Sequence, residues 1–334
     1  MDDFFNIIFS NEFLVSILRL STPILFAALG ALISNKAGVV NIGLEGIMLF
    51  AALFGVLGCS WTGNLFAGGL IGVLIGAFVS ALLAFSTLYL KSDTILTGVV
   101  INLVGAGGTI FFLEVFTGDK NVSTSIVSEV FPTLEIEAIK DVPFIGGLLS
   151  GHNVLTWVAI ALAILLWFVV NKTHFGIKLK AVGENPVAAS SLGIPVKNYR
   201  FIAIVLSGVL ASVGGIFLSM GYVSFFASNM TAGRGFIALA AEAMAMGNPL
   251  LTMLSSLLFG FMSALAIAFG SSGFMAIFNE IFEMMPYVAT IVALIVYAVI
   301  AKQKNKMKEV KNGKSLGKGI QNDVRRRPSG IRRR

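Results

Sequence analysis

Apolar windows recur along almost the whole chain, near residues 13–34, 38–60, 65–90, 95–117, 153–171, 201–221, 236–247, 250–270 and 286–301. Crossing roughly 30 Å of hydrocarbon takes about 20 apolar residues in a helix. Most of the nine windows meet that length, and the seventh is short enough to be re-entrant or half of a broken helix. Only 12% of the 334 residues are charged, against roughly 25% in ordinary soluble domains, so no water-soluble surface can be built. The expected fold is an all-α polytopic membrane protein with about eight to ten transmembrane helices.

The formal charge of +7 is unevenly placed: residues 302–334 carry thirteen Lys or Arg against two acids, and residues 1–301 carry eleven against fifteen. Lysine and arginine in short loops mark the cytoplasmic side. That rule puts Lys36, Lys91, the 172–200 loop and the tail inside, with 118–152 and the acidic N-terminus outside. Three parts are expected: an N-terminal segment 1–12 retained in the protein, a membrane domain 13–301, and a tail 302–334. The tail has no apolar periodicity and reads as disordered. Its charge suits the lipids of an anionic inner leaflet, and without aromatic residues it is a poor match for nucleic acid.

The segment Asn171–Arg200 is the one long, basic, sharply punctuated polar stretch between two apolar runs. Asn185 followed by Pro186 reads as an N-cap and first helical residue. Gly193 and Pro195 stop the helix about two turns later. A helix that short is not stable alone in water, so a partner is expected to hold it, approaching Ala188, Ala189 and Ser190.

Two membrane segments are interrupted. Gly38–Gly46 (GVVNIGLEG) carries Asn41, Glu45 and the glycines Gly38, Gly43 and Gly46. Gly233–Gly247 (GRGFIALAAEAMAMG) carries Gly233, Gly235 and Glu242 behind Arg234. A buried carboxylate in a membrane segment is costly and usually faces protein or a wet cavity. Glu45 is either a pathway residue or a helix cap and partner of Lys36. Asn102 serves as interhelical glue or as a pathway contact, and Arg19 can snorkel to the interface. Rows of small residues at Gly68, Gly72, Gly76, Ser80 and Ala84, and at Ala203, Ser207, Ala211, Gly215 and Ser219, read as packing faces.

Catalytic motifs are absent. Gly313-Lys314-Ser315 lacks the upstream glycine of a phosphate-binding loop, and no nucleophile elbow or zinc motif occurs. One cysteine, Cys59, and two isolated histidines, His152 and His174, provide no metal cluster. The chain reads as a transporter rather than an enzyme, with no cofactor of its own. Either a partner ATPase drives it, or it is a proton- or sodium-coupled secondary transporter built on Glu45 and Glu242.

Residues 181–215, AVGENPVAASSLGIPVKNYRFIAIVLSGVLASVGG, closely resemble the coupling region of ATP-binding cassette importer permeases of the ribose, branched-chain amino acid and nucleoside group. Residues 22–52 and 233–249 resemble two further signatures of its nucleoside (simple-sugar) subgroup. The resemblance implies a type II importer fold in a bacterial cytoplasmic membrane. It also implies a cytoplasmic ATP-binding subunit, a second related permease and an extracytoplasmic substrate-binding lipoprotein as partners. It matches Glu184, Asn185, Ala188, Ala189 and Gly193 to the motif for ATPase contact, with Pro186 added as the first residue of that helix. Gly38, Asn41, Gly43, Glu45 and Gly46 match the segment lining the pathway, Gly233, Gly235 and Glu242 fall in the later signature, and Asn102 joins the pathway candidates on its own polarity. Met244 and Met246 depart from the family pattern.

Overall fold

A computed structural model describes residues 10–126, 128–135 and 150–271. The expected ninth window and the 302–334 tail lie outside the described residues, as does most of the 1–12 segment.

Helix α1, Asn11–Lys36, begins where Ser10 accepts the Phe13 N–H at 3.1 Å. From Ser21 to Ser34 it is buried on every side, as expected of a helix apolar all round. Helix α2, Leu44–Thr62, is likewise buried and stops at Gly63, whose φ of 61° suits a left-handed C-terminal turn. Helices α3, Leu65–Leu88, and α4, Thr94–Thr117, start on Asn64 and Asp93, whose side chains accept first-turn N–H groups. Phe66, Leu70, Leu74, Phe78 and Leu82 form an exposed apolar row on α3, the surface that lipid requires.

Two short strands, β1 (Thr133–Leu134) and β2 (His152–Asn153), pair antiparallel ahead of α5, Val154–Lys172. Helices α6, His174–Glu184, and α7, Pro186–Ser191, follow, then α8, Val196–Phe217, which runs into a π-helical turn at Leu218–Tyr222. Helix α9 is Arg234–Met244 and α10 is Pro249–Ser271.

Seven helices among the described residues are long and apolar enough to cross a membrane. Helix α9 is not one of them. Its 11 residues rise about 16 Å, half of a hydrocarbon core, so the seventh window is half a crossing. The other half is the irregular chain 223–233. It starts beside the 118–135 segment, where Val122 bridges Ala227 and the Ser123 N–H donates to Phe226 at 2.8 Å. Beyond α9, Gly247 reaches Lys36 at the opposite, basic end. Segment 223–247 therefore passes from one end of the bundle to the other.

Both rows of small residues pack within this chain. Gly76 faces Ser212, Gly208 faces Ser80, and Gly215 lies against the Met48 backbone, with no room for a β-carbon at any of them. The Ser219 hydroxyl donates to the Ala52 carbonyl at 2.9 Å. Helices α2, α3 and α8 approach closely because these positions lack bulk.

Candidate functional site: two broken segments and a basic-end loop

Between α1 and α2 the chain leaves the helix at Gly38, where φ is 76°. Unpaired backbone groups inside a membrane cost several kcal/mol each, by order of magnitude, and two asparagines remove that cost. Asn41 accepts the Gly43 N–H at 3.0 Å and donates to the Ser207 hydroxyl at 3.0 Å. Asn102, from α4, accepts the Gly46 N–H at 2.8 Å and donates to the Ile42 carbonyl at 2.9 Å. Gly46 sits tightly on the backbone of Ile101 and Asn102, which holds α4 against the start of α2.

The second break meets the first through Glu45. Its Oε1 accepts the Gly233 N–H at 2.7 Å and its Oε2 accepts the Gly235 N–H at 2.6 Å. Only 6% of Glu45 is exposed. The first turn of any helix leaves N–H groups unpaired and carries partial positive charge. At α9 this chain's own carboxylate supplies both the acceptors and the countercharge.

Helix contacts fix the depth of this junction. Ser207, the partner of Asn41, packs on Gly30, six residues from the Lys36 end of α1 and so about 9 Å along it. Met48 and Phe26 both pack on Gly214, and Phe26 is about 15 Å from that end. Glu45 lies between these levels, about 12 Å in from the basic end of α1, well inside the bundle and not at its face.

Glu242 sits near the other end of α9, about 13 Å from Gly233 along the helix. Both of its oxygens accept from the Asn35 amide at 3.0 Å, and the Lys36 ammonium lies nearby. Glu45 and Glu242 therefore do not form one carboxylate pair. They anchor opposite ends of the same half-helix. Arg19 stacks over the Tyr222 ring at 4.0 Å near the opposite end of the bundle.

The basic-end loop carries the expected short helix. Asn185 accepts the Ala188 N–H at 3.0 Å and Pro186 is the first residue of α7. Gly193, at φ 78°, closes the helix: its N–H donates to Ser190 at 2.9 Å and the Ile194 N–H donates to Ala189 at 3.1 Å, the paired bonds of a Schellman end. Ala189 is buried against the chain itself. This corrects the expectation that it faces outward with Ala188 and Ser190. The apolar surface on offer is instead Val187, 75% exposed, and Leu192, 80% exposed. Glu184, Asn185 and Gly193 are exposed beside them.

Sequence reasoning missed α6 and what it touches. A β-carbon at Gly183 would overlap the Lys36 carbonyl, and Gly38 packs against the Gly183 backbone. Arg200 Nε donates to the Ala37 carbonyl at 3.2 Å. The loop is thus in direct contact with the first break. Asn35, Lys36, Gly183, Arg200 and Ser207 join the residues named above, and the glycine just before Glu184 was the one available signal.

The model for the family described as branched-chain amino acid transport system / permease component matches residues 13–295. This chain belongs to that permease family. The permease is 38% identical over 285 residues to the nucleoside ABC transporter permease protein NupC of Lactococcus lactis subsp. cremoris, covering 83% of this chain and 89% of the relative. It is 34% identical to the guanosine ABC transporter permease protein NupQ of Bacillus subtilis over 82% and 88% of the two chains. It is 32% identical to the putative glucose ABC transporter permease protein TsgC13 of Haloferax volcanii over 78% of each. Among solved structures, PsaBC from Streptococcus pneumoniae in complex with Fab overlaps 87% of this chain and 94% of the matched chain, at 15% identity and a TM-score of 0.48. The permease is the multi-pass membrane subunit of an ATP-binding cassette importer, a transport component and not an enzyme, and such a subunit works with an ATPase. The gradient-driven alternative is not favoured.

Proposed function

We propose that this permease imports nucleosides, with simple sugars as the second choice of cargo, by alternating access driven by a separate ATP-binding subunit. The observation that carries the choice of a neutral cargo is the Glu45 cap. In transporters built from broken helices, the N-terminus of a half-helix commonly faces the anionic group of a substrate. Here Glu45 already occupies the Gly233 and Gly235 N–H groups. A cargo with its own carboxylate, such as a branched-chain amino acid, gains nothing at that helix end. A nucleoside needs neutral hydrogen bonding and an apolar or aromatic wall. The names of the relatives from Lactococcus and Bacillus support the same choice.

The basic end is cytoplasmic in this reading. There α7 docks into the ATP-binding subunit through Val187, Ala188 and Leu192, with Asn185, Pro186 and Gly193 fixing its shape and Glu184 beside it. A push on α7 passes through α6 to the Gly183–Gly38 contact. From there it reaches α2, and Glu45 carries it to α9. Asn41, Asn102 and Glu242 keep the broken segments in register as they move. A second related permease completes the membrane unit, and an extracytoplasmic lipoprotein delivers cargo. Domain bounds of 13–301 for the membrane part and 302–334 for a tail on the inner leaflet complete the assignment.

The test is competition. In vesicles holding the assembled transporter, uptake of labelled adenosine should fall when unlabelled uridine or guanosine is added and should ignore excess leucine. Leucine uptake with no adenosine uptake would refute the cargo.

A further inference from the structure

We infer that Phe236 lines the translocation pathway and supplies the aromatic wall against which the cargo's ring packs, an assignment that rests on the nucleoside reading above. Helix α9 has two faces. Gly235, Ile237, Ala238, Ala240, Ala241 and Glu242 are buried against the bundle, which leaves one narrow open side. Phe236, Leu239 and Ala243 recur at helical spacing on that side, and Phe236 is 49% exposed.

Lipid does not account for that exposure. Immediately before α9, Asn229, Ala232 and Gly233 all hold left-handed backbone angles, with φ of 56°, 44° and 78°. Asn229 and Ala232 are exposed. Non-helical backbone at membrane depth is tolerated only against protein or a water-filled cavity. Arg234, two residues from Phe236, is half-buried and donates Nη1 to the Met230 and Thr231 carbonyls at 3.1 Å each. A guanidinium at this depth also belongs beside water or protein. The exposed rows of α3 and α4 differ in kind: Phe78, Leu82, Leu103 and Phe111 project from unbroken helices, as a lipid surface does.

Depth and chemistry then coincide. Gly235 is tied to Glu45 about 12 Å inside the basic end of the bundle, so the adjacent Phe236 sits at the junction of the two broken segments, where carriers built from broken helices hold their cargo. An aromatic face there stacks on any base without selecting among them. A sugar lacking a base offers only C–H faces, which pack on an aromatic ring more weakly than a base does.

The test uses cysteine reactivity in the assembled transporter, with adenosine as the cargo probe. Native Cys59 is 3% exposed, so the unaltered chain is the blank. Phe236→Cys should react with the water-soluble reagent trimethylammonium-ethyl methanethiosulfonate, and adenosine should slow the reaction; Phe78→Cys should react only with a lipid-soluble maleimide. Phe236→Ala should raise the half-saturation concentration for adenosine about tenfold and raise that for ribose, where ribose is carried, by less. If Phe236→Cys is inert to the charged reagent, or reacts without protection by a transported nucleoside, the assignment is overturned. Should the unaltered transporter carry no nucleoside at all, the cargo reading fails, whereas the charged reagent still reports whether Phe236 faces water.

Discussion

Gly183 and Gly38 meet backbone to backbone: a β-carbon added at Gly38 would lie 3.1 Å from the Gly183 α-carbon, and one added at Gly183 would overlap the Lys36 carbonyl. This contact joins α6, in the basic-end loop, to the break that leads to Glu45. Backbone packed this closely transmits strain, because neither side has a side chain that can rearrange to absorb it.

Gly183→Val should separate that contact. Overpacking of this kind costs about 1–3 kcal/mol, so the melting temperature should fall while the chain still inserts. Uptake per inserted molecule should drop about tenfold or more. Uptake matching the unaltered chain would show that the contact transmits nothing.

Glu45→Gln keeps the shape and removes the charge. Its amide nitrogen must face one of the two α9 N–H groups, donor against donor. Hydrogen bonds to charged groups contribute about 1.5–3 kcal/mol, so uptake should fall about tenfold or more for every cargo alike, with a lower melting temperature. A changed half-saturation for one cargo only, with stability intact, would make Glu45 a cargo contact instead of a link.

Much of the loop was legible in the sequence, because caps act locally. Asn185, Pro186 and Gly193 specify a helix end to end within nine residues, and the structure has it at Pro186–Ser191. The breaks were legible as well, since Gly38, Asn41 and Glu45 interrupt an apolar run. What Glu45 binds was not, because Gly233 and Gly235 are 188 and 190 residues away. The inward turn of Ala189 was hidden for a related reason: six residues are too few for a periodicity to show which side is buried.

Leu192→Asp tests the docking surface. Leu192 touches little of its own chain, so insertion and melting temperature should hold within about 0.5 kcal/mol. Co-purification with the ATP-binding subunit should be lost. Retention of the subunit by this variant would move the docking site elsewhere.

Asn102→Leu removes both partners of the first break, leaving the Gly46 N–H and the Ile42 carbonyl unpaired. Each buried orphan costs about 1–3 kcal/mol. A clear fall in melting temperature is expected, larger than for Asn102→Gln, with thermal unfolding in detergent as the measurement. Equal stability in Asn102→Leu would mean that water or another group pairs these atoms.

The most direct measurement is uptake of labelled adenosine into proteoliposomes holding the permease and its partners, oriented so that ATP can be supplied to the basic end. The predicted result is uptake that requires ATP and continues after ionophores collapse the proton and sodium gradients. Uptake that follows either gradient and proceeds without ATP would contradict the account.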